Sequence, residues 1–322
     1  MTASLIERFR ARLPLEPDGP IVSMGEGSTP LVPAPALSQR LGVELWLKLE
    51  SMNPTGSFKD RGMTVAVSKA LADGAEAVIC ASTGNTAASA AAYAARAGLR
   101  AVVLVPAGGV PAGKLFQSAA AGARLLEVRG SFDQALAAAR ELALGGEFAL
   151  VNSVNPDRLE GQKTAAFEIV EELGVPDLLG LPYGGGGNTC AYVRGFDECG
   201  GLPRLLAGEA ADRGSTAASA IRIAKPAHAI EATEGIARSG GTVVSLSDAE
   251  IRDAWRLLAE REGVVAELSS AAGLAALARE GRGSGGRAVC VLTGHGLKDP
   301  QRALDEVVQV EPDADAIAAA AR

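Results

Sequence analysis

Lys59 stands in SMNPTGSFKDRGM (51–63), where the turn formers Asn53, Pro54, Thr55 and Gly56 lead directly into a helical pattern. A lysine in a first helical turn faces the partial positive charge of the helix dipole, and Arg61 adds a cation two residues on, so the amine is biased toward its neutral form. A neutral amine is what Schiff-base formation with an aldehyde requires; a solvated lysine at a helix start is the alternative. In ASTGNTAAS (81–89) a strand end meets a small-residue turn and a helix, so the hydroxyls and amides of Ser82, Thr83, Asn85 and Thr86 converge at a helix N-terminus, a ready anion site. In LPYGGGGNTCAY (181–192) a strand runs into Gly184, Gly185, Gly186 and Gly187 and enters a helix through Asn188. Adjacent glycines are conformationally costly, and a phosphate cradle explains them better than a linker does. Neither the P-loop pattern nor the dinucleotide GxGxxG setting is present. In VCVLTGHGLKDP (289–300) an apolar strand delivers Thr293, whose hydroxyl could bond a ring nitrogen, to the carboxyl end of a sheet where ligands sit. His295 follows in a turn, and His228, the other histidine, is far off with no carboxylate or cysteine cluster to complete a ligand set, so no metal site is expected.

The elements that must position these groups follow an α/β pattern. Strands are expected from Val43, Glu76, Arg100, Ala123, Phe148, Leu178, Arg204, Thr242 and Arg287. Helices are expected from near Ser57, Thr86, Ala112, Phe132, Arg158, Asn188, Asp248, Ser269 and Asp313. This alternation is the signature of βαβ units and a parallel sheet. The units between Glu76 and Val128 are regular enough to form a small domain of their own. The polar stretch 208–228 reads as a surface excursion or mobile element, and GRGSGG (281–286) as a connector.

Composition narrows the function classes. A chain of 322 residues, 48% apolar, can bury a large core without staples. A net charge of -7 argues against nucleic-acid or anionic-membrane partners, so an anionic ligand must be met by local groups. The four cysteines are scattered without CxxC spacing, which suits a reducing cytoplasm, and neither an export signal nor a spanning helix is expected.

The chemistry-bearing stretches, with GEGSTPL (25–31), VNSVNPDRLEGQKT (151–164) and AIRIAKP (220–226), occur in an order and spacing that resembles the threonine synthase family of fold-type-II pyridoxal-phosphate enzymes across nearly the whole chain. Related dehydratases more often carry SFKxRGA and a serine or cysteine facing the pyridine nitrogen, whereas this chain has SFKDRGM and Thr293. The resemblance implies two open, twisted, mostly parallel sheets flanked by helices, with a small mobile domain of residues 54–147 on a large cofactor-binding domain of 1–53 plus 148–322, in a homodimer. It implies pyridoxal 5'-phosphate on Lys59 as a Schiff base, Asn85 at the ring hydroxyl, Gly184 to Asn188 at the cofactor phosphate and Thr293 at the pyridine nitrogen. The implied substrate is O-phospho-L-homoserine, with its carboxylate at Ser82, Thr83 and Thr86, its phosphate at Lys114, Asn152, Ser153 and Arg158, and β,γ-replacement to L-threonine. The competing expectations are a serine or threonine dehydratase, a paralogue acting on another β- or γ-substituted amino acid, and a catalytically silent amino-acid-binding protein.

Overall fold

A computed structural model describes residues 3–107, 112–299 and 309–321. Its helices are α1 (Leu5–Phe9), α2 (Pro35–Leu41), α3 (Lys59–Ala72), α4 (Asn85–Ala97), α5 (Ala112–Ala120), α6 (Phe132–Ala143), α7 (Pro156–Leu173), α8 (Gly187–Glu198), α9 (Ala229–Arg238), α10 (Asp248–Glu262), α11 (Ala272–Glu280) and α12 (Ala314–Ala320). Its strands are β1 (Leu31–Pro33), β2 (Glu44–Lys48), β3 (Ala77–Ala81), β4 (Arg100–Pro106), β5 (Arg124–Val128), β6 (Phe148–Leu150), β7 (Leu178–Pro182), β8 (Arg204–Ala210), β9 (Thr242–Leu246) and β10 (Arg287–Val291). They make two sheets. One has the order β1-β2-β10-β7-β8-β9, parallel except for β1, and the other the order β5-β4-β3-β6, parallel throughout.

The α/β expectation and the two mostly parallel sheets therefore hold. Every residue of β3 and of β7 is buried, as expected for central parallel strands covered by helices on both faces. The four-stranded sheet is made of residues 77–150, its last strand falling just beyond residue 147. The larger sheet draws on both ends of the chain. Helix α11 lies unusually close to it: a Cβ on Gly273 would come within 2.9 Å of the Leu181 backbone, and one on Gly180 within 2.6 Å of the Gly273 carbonyl. Only glycines allow that approach, and it brings the 3-10 turn Leu268–Ala271, which leads into α11, over the carboxyl ends of the strands.

Helices α3 and α7 cross at backbone contact. A Cβ on Gly62 would sit 2.5 Å from the Arg158 carbonyl oxygen, and one on Gly161 would overlap the carbonyl of Arg61. Beside the crossing Arg61, fully buried, lies between two carboxylates. Its Nε and Nη2 donate to Glu50 at 2.7 and 2.8 Å, and its Nη1 and Nη2 donate to Glu168 at 2.7 and 2.6 Å. Lys48 at the end of β2 donates to Glu168 at 2.8 Å, and Thr29 donates to Glu50 at 2.7 Å. The group holds two cations and two anions and is internally neutral. Burial alone would push the Glu168 carboxyl up, but Arg61 and Lys48 together hold it well below the usual carboxylate range.

Some elements lie outside the sequence expectation: α1, α2, α9 and β1. The stretch 208–228 is also corrected. Its first residues are the end of β8, and Thr216, Ala218 and Ile221 are buried, so it packs against the sheet instead of standing off it. Among the described residues no helix is long and apolar enough to cross a membrane.

Glu168→Ala would leave Arg61 and Lys48 buried with one carboxylate fewer. Urea unfolding should show a loss of about 3–5 kcal/mol, the usual consequence of removing one partner from a buried pair. A loss under about 1 kcal/mol, the scale of an exposed ion pair, would contradict the clamp.

Candidate active site

Lys59 is the first residue of α3, and the chain reaches it through the Asn53–Gly56 turn. Asp60 fixes that turn by accepting from Thr55 N and Thr55 Oγ1, both at 2.6 Å, and it ties the turn to α4 through Ser89 Oγ at 2.6 Å. Ser57 bridges to Gly294, so α3 begins against the loop after β10. The Lys59 amine is depressed to about 7, first by burial and then by the Arg158 guanidinium, with Glu267 opposing. The direction agrees with the sequence reading, but the cation responsible is different. Residues i and i+2 project to opposite sides of a helix, so Arg61 points into the clamp and Arg158, from α7, faces Lys59.

Arg158 is itself fully buried. Its Nη1 donates to the Val151 carbonyl at 3.2 Å and to Thr86 Oγ1 at 3.5 Å, while Nε and Nη2 have no partner. Its pKa falls to about 10, chiefly through burial, with Cys80 and Asp60 opposing. A buried guanidinium with unpaired donors and a second cationic nitrogen nearby is poised to receive an anion.

The glycine turn after β7 divides into two kinds of position. Gly186 has φ +85°, and a Cβ there would meet the His228 carbonyl at 2.8 Å; a Cβ on Gly184 would come within 3.2 Å of Ile221. Packing demands glycine at both. A Cβ on Gly185 or Gly187 would meet nothing closer than 3.6 or 3.4 Å, so packing leaves room for a side chain at these two. Bare backbone there suits amides that approach an anion at the N-terminus of α8. Asn188 Nδ2 and Thr189 Oγ1, in the first turn of that helix, are buried without partners. These orphaned groups, with the open glycines, fit the phosphate of a pyridoxal cofactor.

Across from the turn, Asn85 begins α4 and donates from Nδ2 to both oxygens of Glu267 at 3.0 Å. Thr293 Oγ1 and Ser270 Oγ are 2.9 Å apart, and Ser270 Oγ accepts from Gly294 N at 3.0 Å. Glu267 and Ser270 are absent from the sequence-level set; their only trace there is the segment VAELSSAAG, and its approach depends on the glycine contacts of α11. A cavity of about 560 Å³ opens beside these groups, lined by Thr55, Thr83, Asn85, Gln117, Glu267 and Lys298 among others. Lys59, Arg158, Thr293 and the glycine turn do not line it, so it forms a vestibule next to them. Lys298, a further cation not anticipated, donates to the Thr55 carbonyl at 2.6 Å and to Gln117.

The remaining expected positions separate. Thr86 touches Arg158 and Thr83 lines the vestibule, while Ser82 Oγ accepts from Gly84 N at 3.3 Å. Asn152 differs from expectation: its amide bridges the Ala81 backbone, accepting from N at 3.0 Å and donating to O at 2.8 Å, and so extends β3 by one residue's pairing. Ser153 presents its carbonyl to His228 Nε2 at 3.0 Å. Lys114 belongs to α5, and its side chain lies outside the described residues. His295 Nδ1 accepts from Leu297 N at 3.2 Å and caps a 3-10 turn at the vestibule wall.

Comparison with known proteins agrees with this geometry. Residues 22–294 match the family described as Pyridoxal-phosphate dependent enzyme, which sets the class: the chain is a pyridoxal-phosphate-dependent enzyme. It is 45% identical to threonine synthase of Halalkalibacterium halodurans, over 94% of this chain and 92% of that one, and 47% identical to threonine synthase of Mycobacterium tuberculosis, over 96% and 92%. Likeness of that extent places it in the threonine synthase family. Solved structures share the fold, as in maize serine racemase, with a TM-score of 0.73 at 20% identity over 92% of this chain and 94% of that one.

The depressed amine can be measured directly. Acylation of Lys59 in cofactor-free protein, followed by peptide mapping against pH, should show a midpoint near 7, where an exposed lysine gives about 10.4. Arg158→Leu removes the facing cation, favours the ammonium and should move the midpoint upward. An ordinary lysine midpoint in the unaltered protein would contradict the site.

Proposed function

We propose that the protein is a threonine synthase that converts O-phospho-L-homoserine and water to L-threonine and phosphate, with Lys59 as the residue that carries the cofactor and moves the protons. The observation that carries this reading is the pair of Lys59, an amine held largely available as a base at neutral pH, and Arg158, a buried cation with free donors facing it. A dehydratase acting on threonine or serine has no second anion to bind, and a buried unpaired guanidinium would be a cost without a use.

Gly184 to Asn188 would hold the cofactor phosphate, Asn85 its ring hydroxyl and Thr293 its ring nitrogen, the last kept in place by Ser270. The bound cofactor supplies an electron sink for negative charge developing at the substrate α-carbon. Lys59 takes the α-proton and then serves at the β-carbon, where a pKa near neutrality suits an amine that must both accept and return protons. Arg158, with Lys114 and Ser153 nearby in the same proposal, orients the γ-phosphate and stabilises the charge on the leaving oxygen. Thr86 and its neighbours Ser82 and Thr83 hold the substrate carboxylate at the start of α4. The homodimer, cytoplasmic location and closure of the 54–147 unit over the site to exclude water belong to the same proposal.

Cofactor-loaded protein given O-phospho-L-homoserine should release phosphate and L-threonine in equal amounts, with 2-oxobutanoate as a trace at most, and Lys59→Ala should lose turnover by at least about 10⁴-fold. Production of 2-oxobutanoate from threonine without phosphate release from the phosphorylated substrate would instead make this a dehydratase.

A further inference from the structure

Behind the glycine turn, on the side away from Lys59, the fold assembles a group of side chains that the proposed chemistry does not use. Cys190 on α8, His228 at the N-cap of α9 and Glu231 in the first turn of α9 come from separate parts of the sequence, yet their sulfur, a ring nitrogen and a carboxylate oxygen all lie within 4.8 Å of one another. Cys190 is buried, His228 partly so, and Glu231 opens to solvent, so the group has a closed inner side and an outer entrance.

The histidine is oriented for ligation. Its Nε2 stands 3.0 Å from the carbonyl of Ser153, which can only accept, so Nε2 carries the proton. In the neutral ring Nδ1 is then a bare lone pair, and it faces Glu231 Oε2, another acceptor, at 3.8 Å. Two acceptors turned toward each other call for a positive centre between them. Arg194 does not supply it: this guanidinium holds the opposite carboxylate oxygen, Oε1, at 2.6 Å and is shared with Glu160 at 3.3 Å. The backbone around the histidine is fixed as well, since His228 N donates to the Gly185 carbonyl at 3.1 Å.

We propose that Cys190, His228 and Glu231 form a binding site for a divalent transition metal, with zinc the favoured ion. Thiolate, imidazole and carboxylate together are a borderline-soft donor set, and a carbonyl-bound Nε2–H that orients the ligating ring is a common arrangement at zinc. Tetrahedral zinc separates its ligand atoms by about 3.3–3.8 Å; the His228 to Glu231 distance already matches, and the sulfur closes in by a rotamer adjustment. On binding, the Cys190 thiol gives its proton to solvent, a sulfur–zinc bond forms, and water completes the fourth position. Thiolate and carboxylate neutralise the ion. The site ties α8 to α9 and grips the turn proposed for the cofactor phosphate from behind; that consequence rests on the proposed function, while the binding itself does not.

The test uses cofactor-loaded protein stripped with a chelator, exposed to zinc chloride and dialysed. One zinc per chain should be retained, and zinc-edge X-ray absorption should show one sulfur at about 2.3 Å with nitrogen and oxygen at about 2.0 Å. Cys190→Ser should remove the sulfur shell. Glu231→Gln, at an exposed position that leaves folding intact, should weaken retention at least tenfold. No retained zinc in the unaltered protein, a coordination shell without sulfur, or a sulfur shell that survives Cys190→Ser would each overturn the proposal. None of these readouts depends on turnover, so they stand or fall apart from the threonine synthase reading.

Discussion

The crossing of α3 and α7 is the constraint on which the remaining geometry depends. Two glycines, Gly62 and Gly161, let the helices touch along their backbones, and Arg61 then reaches both Glu50 and Glu168. A buried ion pair is a poor source of stability by itself, because desolvation offsets much of the attraction. What this one contributes is registry. A slide of one helix along the other by a residue, about 1.5 Å, would leave four buried charges without their partners.

Both helices use opposite faces for opposite tasks. On α3, Arg61 turns to the clamp and Lys59 to the cleft; on α7, Glu168 turns to the clamp and Arg158, nearer the N-terminus, to the cleft. One pair of charges is matched and the other is two cations with no anion between them. The matched pair holds the unmatched pair in place, and the unmatched pair depresses the lysine amine and leaves guanidinium donors free. A chain with net charge -7 thus presents a local anion site through geometry instead of through overall charge.

Much of the architecture was legible in the sequence because parallel strands buried on both faces read as apolar runs, and alanine-rich helices with glycine turns separate them. The expected starts at Arg100, Phe148, Leu178, Arg204, Thr242 and Arg287 coincide with strands. Elements of a few residues, such as α1 and β1, are too short to show a period. The chemistry-bearing stretches were legible as local turn-to-helix patterns, but the contacts between them were not. Arg61 stood close to Lys59 in sequence and was read as its cation, whereas helical geometry turns it away and tertiary packing supplies Arg158. Asn152 was read as a ligand and instead completes the pairing of β3. Glu267, Ser270 and the Cys190, His228, Glu231 group are products of long-range packing, which no spacing rule reports.

The most direct test of the account is calorimetric titration of inorganic phosphate into cofactor-loaded protein and into its Arg158→Leu variant. Loading fills the cofactor's own phosphate cradle, so the titration reads the second anion site alone. The account predicts binding that weakens by about tenfold or more in the variant, the scale of a lost charge-assisted pair, with the fold unchanged by circular dichroism. Equal affinity in the two proteins would contradict the claim that the unpaired guanidinium held by the α3–α7 crossing is the anion site.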